Sequence, residues 1–309
     1  MKPKILLTGK NGQIGKDLEG FLAESSELLA LGRKELDLSR SQNIRQAVRD
    51  FRPHLIVNAA AYTSVDQAEG DNATAFIVNA QAPTLLAEEA RRIGAALIHY
   101  STDYVFDGRK SSPYTEDDSP NPINVYGKTK LAGERGIEGV GGFYLILRTA
   151  WVYSTRGRNF LLKILRLAAE RDELRVVADQ VGAPTSSHVI ALATTKIITR
   201  EWNRRQGVLP FSNWRGIYHM TAAGECSWWQ FAKAIVEEVH LSSHCPAWLH
   251  AVTDGRPLVV NRISPIATAE YPTPARRPAY SVLSNLRLKQ TFELEIPDWR
   301  AQLRRLIAG

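Results

Sequence analysis

Tyr126 and Lys130 stand four residues apart in the segment Tyr-Gly-Lys-Thr-Lys. This spacing puts both side chains on one face of a helix, and a lysine ammonium beside a phenol favours the phenolate and lowers the tyrosine pKa. We therefore expect Tyr126 to work as a general acid near neutral pH. Thr102 lies at the end of an apolar run and could donate a hydrogen bond to a substrate oxygen, although such hydroxyls also cap turns. Because Tyr–Lys pairs arise by chance in many helices, the pair needs supporting features.

A glycine-rich turn follows the first apolar run of the chain, residues 4–8. Its glycines are spaced GxxGxxG and a helical pattern begins directly after them. Such a turn can approach a pyrophosphate closely, and the helix N-terminus supplies unpaired N–H groups. A plain strand-to-helix turn is the alternative, but the position after the first strand favours dinucleotide binding. The residues expected to line the cofactor are Gly9, Asn11, Gly12, Gln13, Ile14 and Gly15.

The end of the second predicted strand carries Gly32-Arg33-Lys34 where an acidic residue would select NAD. An arginine fork suits a 2′-phosphate, so Arg33 predicts NADPH as cofactor, with NADH also usable. An exposed basic turn is the alternative for Arg33. Asp37 could accept from the adenine amino group or belong to a turn before a Ser39 helix cap, and Leu38 could pack on the adenine ring.

Apolar runs and helical patterns alternate through the first half of the chain. Runs rich in Val, Ile and Leu with little polar alternation are typical of strands buried on both faces of a parallel sheet. The predicted strands are residues 4–8, 28–31, 55–60, 96–101 and 143–148. Helices are predicted after a Ser39–Gln42 capping box and over 73–93. The alternation predicts an α/β fold with a Rossmann-like, doubly wound parallel sheet.

The second half of the chain has a different pattern. The predicted helices there are 159–171, 187–202 and one capped by Ser227. Residues 243–281 are rich in proline and are expected to form loops and short strands. We expect a dinucleotide-binding domain over 1–150, with parts of 180–220 joining it. A smaller C-terminal α+β substrate-binding lobe, discontinuous in sequence if those parts do join, is expected over 151–309.

Composition limits the functions that the chain could have. Of 309 residues, 44% are hydrophobic and 23% charged, and no apolar stretch approaches the ~20 residues that cross a membrane. Only Cys226 and Cys245 occur, too few for a disulfide framework or a metal quartet, so we expect a reducing cytoplasm. The net charge is +7, but the basic residues are scattered and no nucleic-acid motif occurs. We expect no membrane or nucleic-acid partner; the excess charge solvates the surface or attracts anionic ligands.

With the glycine turn, the hydroxyl and the Tyr–Lys pair in this order, the sequence resembles the extended short-chain dehydrogenases. Within them it is similar to reductases of dTDP-linked keto sugars, over nearly the whole chain. The matching segments are GKNGQIG (9–15), VNAAAYTSVDQAE (57–69), STDYVF (101–106), NVYGKTKLAGE (124–134), RTAWVY (148–153), DQVGAPT (179–185) and YPTPARRP (271–278). The last three segments are more specific than the glycine turn.

The resemblance implies reduction of the C4 keto group of dTDP-4-dehydro-L-rhamnose to dTDP-L-rhamnose with NADPH. It implies that Tyr126 protonates the C4 oxygen, that Lys130 binds the nicotinamide ribose and tunes Tyr126, and that Thr102 polarises the carbonyl. The implied cofactor-lining residues after the third strand are Ala60, Ala61, Tyr62 and Thr63. The implied contacts to the substrate are Asp103 and Trp151 for the sugar, and Arg276 and Arg277 for the diphosphate, with plain surface charge as the alternative for the two arginines.

Two alternatives to simple reduction stay open. Sugar-nucleotide dehydratases and epimerases share this fold, but a dehydratase of the group needs a Glu beside the Asp, and Asp103 is followed by Tyr104. The regulatory subunit of methionine adenosyltransferase is also similar to these reductases and is a binding partner rather than a reductase. The presence of Thr102, Tyr126 and Lys130 argues against that reading.

The resemblance also bears on metal binding and assembly. Some related reductases form a homodimer around magnesium, held by carboxylates from three helices. The corresponding positions here fall on Asp17, on His188 and near the chain end at Gly309. Magnesium takes oxygen ligands, so an imidazole is a poor replacement, and a chain terminus is a weak ligand. We therefore expect no metal, and a monomer or a homodimer that forms without one.

Overall fold

The computed structural model describes residues 2–204, 215–242 and 244–308, and a parallel sheet forms its centre. The strands are β1 (Lys4–Thr8), β2 (Glu27–Leu31), β3 (Leu55–Asn58), β4 (Ala96–Thr102), β5 (Phe143–Thr149), β6 (Val152–Tyr153), β7 (Glu173–Val177), β8 (Val181–Gly182), β9 (Thr185–Ser186), β10 (Gly216–His219), β11 (Cys226–Ser227) and β12 (Arg262–Ile266). Six of them form the central sheet in the order β2-β1-β3-β4-β5-β10, and every neighbouring pair is parallel.

Helices cover both faces of this sheet and build the second lobe. They are α1 (Gln13–Ala23), α2 (Ser41–Phe51), α3 (Val65–Ala68), α4 (Asn72–Phe76), α5 (Ala82–Ile93), α6 (Val125–Val140), α7 (Phe160–Glu170), α8 (Ser187–Arg204), α9 (Trp228–Leu241), α10 (Ala247–Val252), α11 (Leu286–Phe292) and α12 (Trp299–Ala308). Since side chains alternate along a strand, Leu7 and Val57 pack with α1 and α8, whereas Leu6 and Ile56 pack with α2 and α5 on the other face. No helix among the described residues is long and apolar enough to span a bilayer.

The strand order reverses between β1 and β3. From that point the chain builds outward to β2 on one side and to β4, β5 and β10 on the other. In open parallel sheets, ligands bind in the crevice at such a switch point, outside the carboxyl ends of the strands. The predicted doubly wound α/β fold is confirmed, and all five predicted strands are present within two residues of their predicted bounds.

The capping box predicted at Ser39 and Gln42 is wrong. Helix α2 begins at Ser41 with Arg40 as its N-cap and without a side-chain cap. The Ser39 hydroxyl donates to Asp37 Oδ1 at 2.8 Å. This hydrogen bond to a nearby carboxylate competes with capping of the helix by Ser39.

A second, smaller core lies in the C-terminal half of the chain. Leu161 of α7, Phe231 of α9 and Leu303 of α12 pack there with the parallel pair β7–β12. Ser227 caps α9 as predicted, in a capping box with Gln230. The proline-rich region contains helix α10 as well as the predicted loops and strand. Strand β10 returns from this half to the edge of the central sheet, while the domain bounds stay a prediction.

Candidate active site

The glycine turn lies at the switch point of the sheet. Gly9 has a φ of +77°, and a Cβ on it would come within 2.7 Å of the Ala60 backbone nitrogen, so this position requires glycine. A Cβ on Gly15 would likewise collide with the Gly9 carbonyl. Helix α1 begins at Gln13 after Gly12, and no side chain caps it. This close backbone and uncapped helix end fit the pyrophosphate of a dinucleotide.

The side chains of the turn have separate environments. Asn11 is exposed, and Ile14 packs against the core under the sheet. The Gln13 amide oxygen accepts from Ser154 at 2.9 Å and from Asn159 at 2.8 Å, both in the second lobe. The Gln13 side chain thus ties the turn to the second lobe.

The end of β2 adjoins the glycine turn, because the Gly9 N–H donates to the Leu31 carbonyl at 2.8 Å. Arg33 is exposed two residues beyond this contact. An exposed guanidinium at this point can reach a phosphate on the adenosine ribose. Lys10 of the turn is nearby and pairs with Glu35 at 2.8 Å.

The next two predicted cofactor contacts have other partners. Asp37 accepts from the Ser39 N–H at 3.0 Å and hydroxyl at 2.8 Å, and these bonds lower the pKa of the carboxyl group. Leu38 is 7% exposed and packs in the core with Leu36 and Ile44. The contacts favour a turn role for Asp37 and a core role for Leu38 over contacts with adenine.

The segment after β3 is held in place by Asn79. Its side chain accepts from the Tyr62 N–H at 2.8 Å and donates to the Tyr62 carbonyl at 3.1 Å. It also donates to the Thr129 hydroxyl of α6 at 3.2 Å. Ala60, Ala61 and Tyr62 are partly buried and Thr63 is exposed. These bonds fix the segment relative to the helix that carries Tyr126.

Thr102, Asp103 and Tyr126 meet at the carboxyl end of β4. The Thr102 hydroxyl donates to Asp103 Oδ1 at 3.0 Å, and it lies near enough to the Tyr126 phenol to act on its pKa. Asp103 is 2% exposed. Burial raises the pKa of Asp103 to about 6, although hydrogen bonds from Ser281 and Thr102 oppose the rise. One hydroxyl therefore links a phenol to a buried carboxyl group.

The expected low pKa of Tyr126 is wrong, because burial of the phenol dominates. Burial raises the pKa of the phenol to about 12; contact with Thr102 opposes this and the charge of Asp103 adds to it. Lys130, one turn further along α6, donates to the Tyr100 carbonyl at 2.6 Å. Tyr126 therefore keeps its proton at neutral pH, the form from which a phenol can donate.

Trp151 follows β5 in a strained conformation. Its φ is +46°, a region that large side chains seldom adopt. The indole stacks on Trp228 with centroids 3.4 Å apart and planes 5° apart. A Cβ on Gly182 would collide with the Trp151 ring, so Gly182 as well as Trp228 fixes the position of the indole. A fixed, partly buried indole at this edge suits one face of a sugar ring.

The two candidate arginines differ in their contacts. Arg277 pairs with Asp66 of α3 at 2.9 Å and donates to the Ala275 carbonyl at 3.1 Å. Arg276 has an exposed side chain, and its carbonyl accepts from Asn124 at 2.8 Å. Arg277 thus holds its loop against α3, which leaves Arg276 as the better placed of the two for an anionic ligand.

The residues considered for magnesium have other contacts as well. Asp17 accepts from Arg156 at 3.0 Å and from the Ser187 hydroxyl. His188 is exposed, and its ring lies 5.1 Å from that of Phe21. Gly309 lies outside the described residues. Within the described ranges, no group of three or more His, Cys, Asp or Glu side chains could hold a metal.

Sequence reasoning missed Asn58, His99 and Asn124. Asn58, at the end of β3, and His99, in the middle of β4, are buried and contact each other. A polar residue within a run of buried apolar residues was the available signal. Asn124 caps α6 by accepting from the Gly127 N–H at 2.8 Å, and an Asn at this spacing before a helical pattern is a recognisable cap.

Comparison with known proteins supports the resemblance seen in the sequence. A dTDP-4-dehydrorhamnose reductase of Burkholderia thailandensis is 49% identical over 297 residues, covering 96% of this chain and 95% of the relative. Residues 2–309 match the family model described as RmlD substrate binding domain. The chain belongs to the dTDP-4-dehydrorhamnose reductase family. The predicted family resemblance is therefore confirmed.

Two further relatives agree with this assignment. The dTDP-4-dehydrorhamnose reductase of Escherichia coli K12 is 39% identical over 307 residues, which is 98% of this chain and 96% of that protein. The Bacillus anthracis dTDP-4-dehydrorhamnose reductase in complex with NADP is 35% identical, with a TM-score of 0.86 and 99% of each chain covered. The Bacillus anthracis protein therefore shares this fold over almost its whole length.

Proposed function

We propose that this protein reduces the C4 keto group of dTDP-4-dehydro-L-rhamnose to dTDP-L-rhamnose with NADPH. The observation that carries the proposal is the meeting of Thr102, Asp103 and Tyr126 at the sheet edge beside a dinucleotide cradle, in a chain of this family. NADPH is supported by the exposed Arg33 and by the NADP in the Bacillus anthracis relative. NADH is the weaker alternative cofactor.

Proton delivery to the C4 oxygen is the task of Tyr126. Bound NADPH supplies the hydride. Tyr126 gives its proton to the oxygen as negative charge develops there. The Thr102 hydroxyl turns from Asp103 Oδ1 and donates its one hydrogen to the same oxygen. An ammonium at Lys130, one turn along α6, stabilises the phenolate that remains.

Substrate orientation comes from residues at the edges of this site. Asp103 accepts from a sugar hydroxyl, Trp151 packs on the ring, and Arg276 donates to the diphosphate. Arg277 holds the loop that presents Arg276. Simple reduction is favoured over elimination because Tyr104, packed edge-on against Tyr126 at 5.7 Å, stands where a dehydratase of the group needs an acid.

The two cysteines and the substrate class bear on the compartment, the partners and the oligomeric state of the protein. Cys226 and Cys245 are both free thiols, which fits a reducing cytoplasm. We infer that the dTDP-sugar is taken up without a nucleic-acid or membrane partner. We further infer a monomer or a metal-independent homodimer.

The decisive experiment follows cofactor oxidation and the identity of the product. Purified protein is given dTDP-4-dehydro-L-rhamnose with NADPH, or with NADH in parallel, and the product is identified by mass as heavier by two hydrogens. Tyr126→Phe is expected to lower kcat ~10²–10⁴-fold with the fold intact, because it deletes only the transferable proton. The matched control is Tyr104→Phe, which removes the neighbouring phenolic hydroxyl. Near-normal turnover by Tyr126→Phe, or no reduced sugar from the wild type, would contradict the proposal.

A further inference from the structure

Four buried polar side chains form a continuous line from the glycine turn to α6. Thr8 donates to Asn58 Oδ1 at 2.7 Å, Asn58 Nδ2 lies 2.9 Å from His99 Nδ1, and His99 Nε2 lies 3.1 Å from Lys130 Nζ. None of the four is more than 1% exposed. The line runs from the ends of β1 and β3 to the middle of β4 and finishes at the lysine of the Tyr–Lys pair. It therefore connects the cofactor cradle to the proton donor's helix.

A backbone donor fixes the orientation of the Asn58 amide. The Ala60 N–H lies 3.3 Å from Asn58 Oδ1 and can only donate. The amide atom facing Ala60 and Thr8 is therefore the oxygen, and the amide nitrogen faces His99. Because that nitrogen donates to Nδ1, a neutral His99 ring carries its proton on Nε2.

The Nε2 proton of His99 points at Lys130 Nζ. An ammonium group has donors only, so a protonated Lys130 would oppose this second donor, whereas a neutral amine accepts through its lone pair. The amine can still donate to the Tyr100 carbonyl at 2.6 Å. Burial acts in the same direction and lowers the pKa of Lys130 to about 8. Glu134 opposes the shift, but its carboxylate is held by Arg148 in two bonds of 2.9 and 2.6 Å.

The neighbouring titratable groups do not change charge in the same range. Burial and the charge of Lys130 hold the pKa of His99 well below its usual value, so the ring stays neutral. The pKa of Asp103 is raised to about 6 and that of Tyr126 to about 12, in both cases mainly by burial. Of these four groups, Lys130 is the one that titrates just above neutral pH.

We propose that His99, oriented by Asn58, is a positioning residue that disfavours the ammonium form of Lys130 and so sets the alkaline limit of the reduction at Tyr126. The inference rests on the proposed function, in which the Lys130 ammonium stabilises the phenolate. As pH rises and Lys130 loses its proton, that stabilisation is lost and kcat falls. If His99 opposes the ammonium form of Lys130 less strongly, Lys130 keeps its proton to a higher pH, and kcat therefore falls at a higher pH.

Asn58→Asp tests the inference with little change in shape. Its carboxylate can accept from Thr8, from the Ala60 N–H and from His99 Nδ1–H, so the ring proton moves to Nδ1. His99 Nε2 then accepts from a Lys130 ammonium. The alkaline limb of the kcat profile is expected to move up by about one pH unit or more. An unmoved limb in a folded, active Asn58→Asp protein overturns the inference.

Two further variants separate the tautomer from charge and packing effects. The double variant Asn58→Asp/His99→Met keeps the new charge without the imidazole, and most of the upward shift is expected to disappear. If the full shift persists, the charge acts directly on Lys130 and His99 has no such role. Tyr100→Phe is the packing control, since its hydroxyl bonds Thr194 at 2.7 Å away from this line while its backbone carbonyl is kept. Its alkaline limb is expected to match that of the wild type.

The tautomer can also be read without activity. In ¹⁵N-labelled protein, the ring nitrogen shifts of His99, assigned by comparison with His99→Met, are expected to place the proton on Nε2 in the wild type. A proton on Nδ1 there overturns the inference even if the Asn58 variants fail to fold. An inactive wild-type protein with the Nε2 tautomer would instead contradict the proposed function alone.

Discussion

At the scale of one residue, burial of the Asp103 carboxyl group in the site lowers the stability of the folded protein at neutral pH. It is 2% exposed, and burial raises its pKa to about 6. A carboxyl group whose pKa is higher in the folded than in the unfolded chain binds protons more tightly when folded. Its contribution to stability is therefore full below the unfolded pKa, near 4, and is lost as pH rises through about 6. At neutral pH the protein holds a charged group in surroundings that favour the neutral acid.

We predict that Asp103→Asn stabilises the protein at neutral pH while impairing sugar binding. The amide keeps an acceptor for Thr102 and removes the buried charge, so the free energy of unfolding should rise by up to about 3 kcal/mol at pH 7. The gain should vanish near pH 4. Urea unfolding across this pH range measures it, with Asp107→Asn as the control. Hydrogen bonds, first of all from Asn121, lower the Asp107 pKa, so this control should lose stability at pH 7. Equal losses in both variants would contradict the prediction.

Residue types and spacing predicted the class of chemistry at the candidate site, but they did not predict the pKa values of its groups. Thr102, Tyr126 and Lys130 could be named from local patterns because each lies in a short, recognisable segment. The raised pKa of Tyr126 could not be predicted, since it depends on burial by distant parts of the chain. His99 lies 31 residues before Lys130, and nothing in the intervening sequence indicates that they touch.

At the scale of elements, apolar runs predicted five strands of the central sheet. The sixth strand, β10, and the start of helix α2 were not predicted correctly. Strands β3 and β4 are buried along their whole length, which is why a continuous apolar run marked each of them. Strand β10 was not predicted as a separate strand because its four residues, Gly216–His219, contain few apolar side chains and join the sheet from far along the chain. The Ser39 cap failed because Asp37 competes for the same hydroxyl.

Helix α6 carries both Tyr126 and Lys130, so its first turn should matter to catalysis. Asn124 caps it through the Gly127 N–H at 2.8 Å and donates to the Arg276 carbonyl at 2.8 Å. We predict that Asn124→Ala lowers the free energy of unfolding by ~0.5–2 kcal/mol and lowers kcat, because the turn bearing Tyr126 loosens. Thermal unfolding and steady-state kinetics measure the two effects.

Two comparisons separate the cap from its other contact. Asn124→Asp keeps the acceptor for Gly127 and loses the bond to Arg276, so it should retain kcat and raise KM for the dTDP-sugar. Ser227→Ala removes the cap of α9 in the second lobe and should lower stability by a similar amount with kcat retained. If Asn124→Ala destabilises the protein and leaves kcat unchanged, the cap has no part in placing Tyr126.

At the scale of the whole molecule, the two cores are joined beside the cofactor cradle. Gln13 of α1 bonds Ser154 and Asn159 of the second lobe at 2.9 and 2.8 Å. Asp17, one turn further along α1, pairs with Arg156 at 3.0 Å. The first helix thus holds the cofactor cradle with its N-terminus and the second lobe with its side chains. The carboxylate that corresponds to a magnesium ligand in some relatives is used here within the chain.

We therefore predict that activity and assembly do not depend on magnesium. Asp17 already has two partners, and His188 offers an imidazole where a hard cation prefers oxygen. Sedimentation and NADPH oxidation should be the same with EDTA and with added magnesium. Asp17→Asn should leave the response to EDTA unchanged and should lower stability, because it weakens the pair with Arg156. A dimer that dissociates in EDTA and reforms with magnesium would show that the chain supplies other oxygen ligands for the ion.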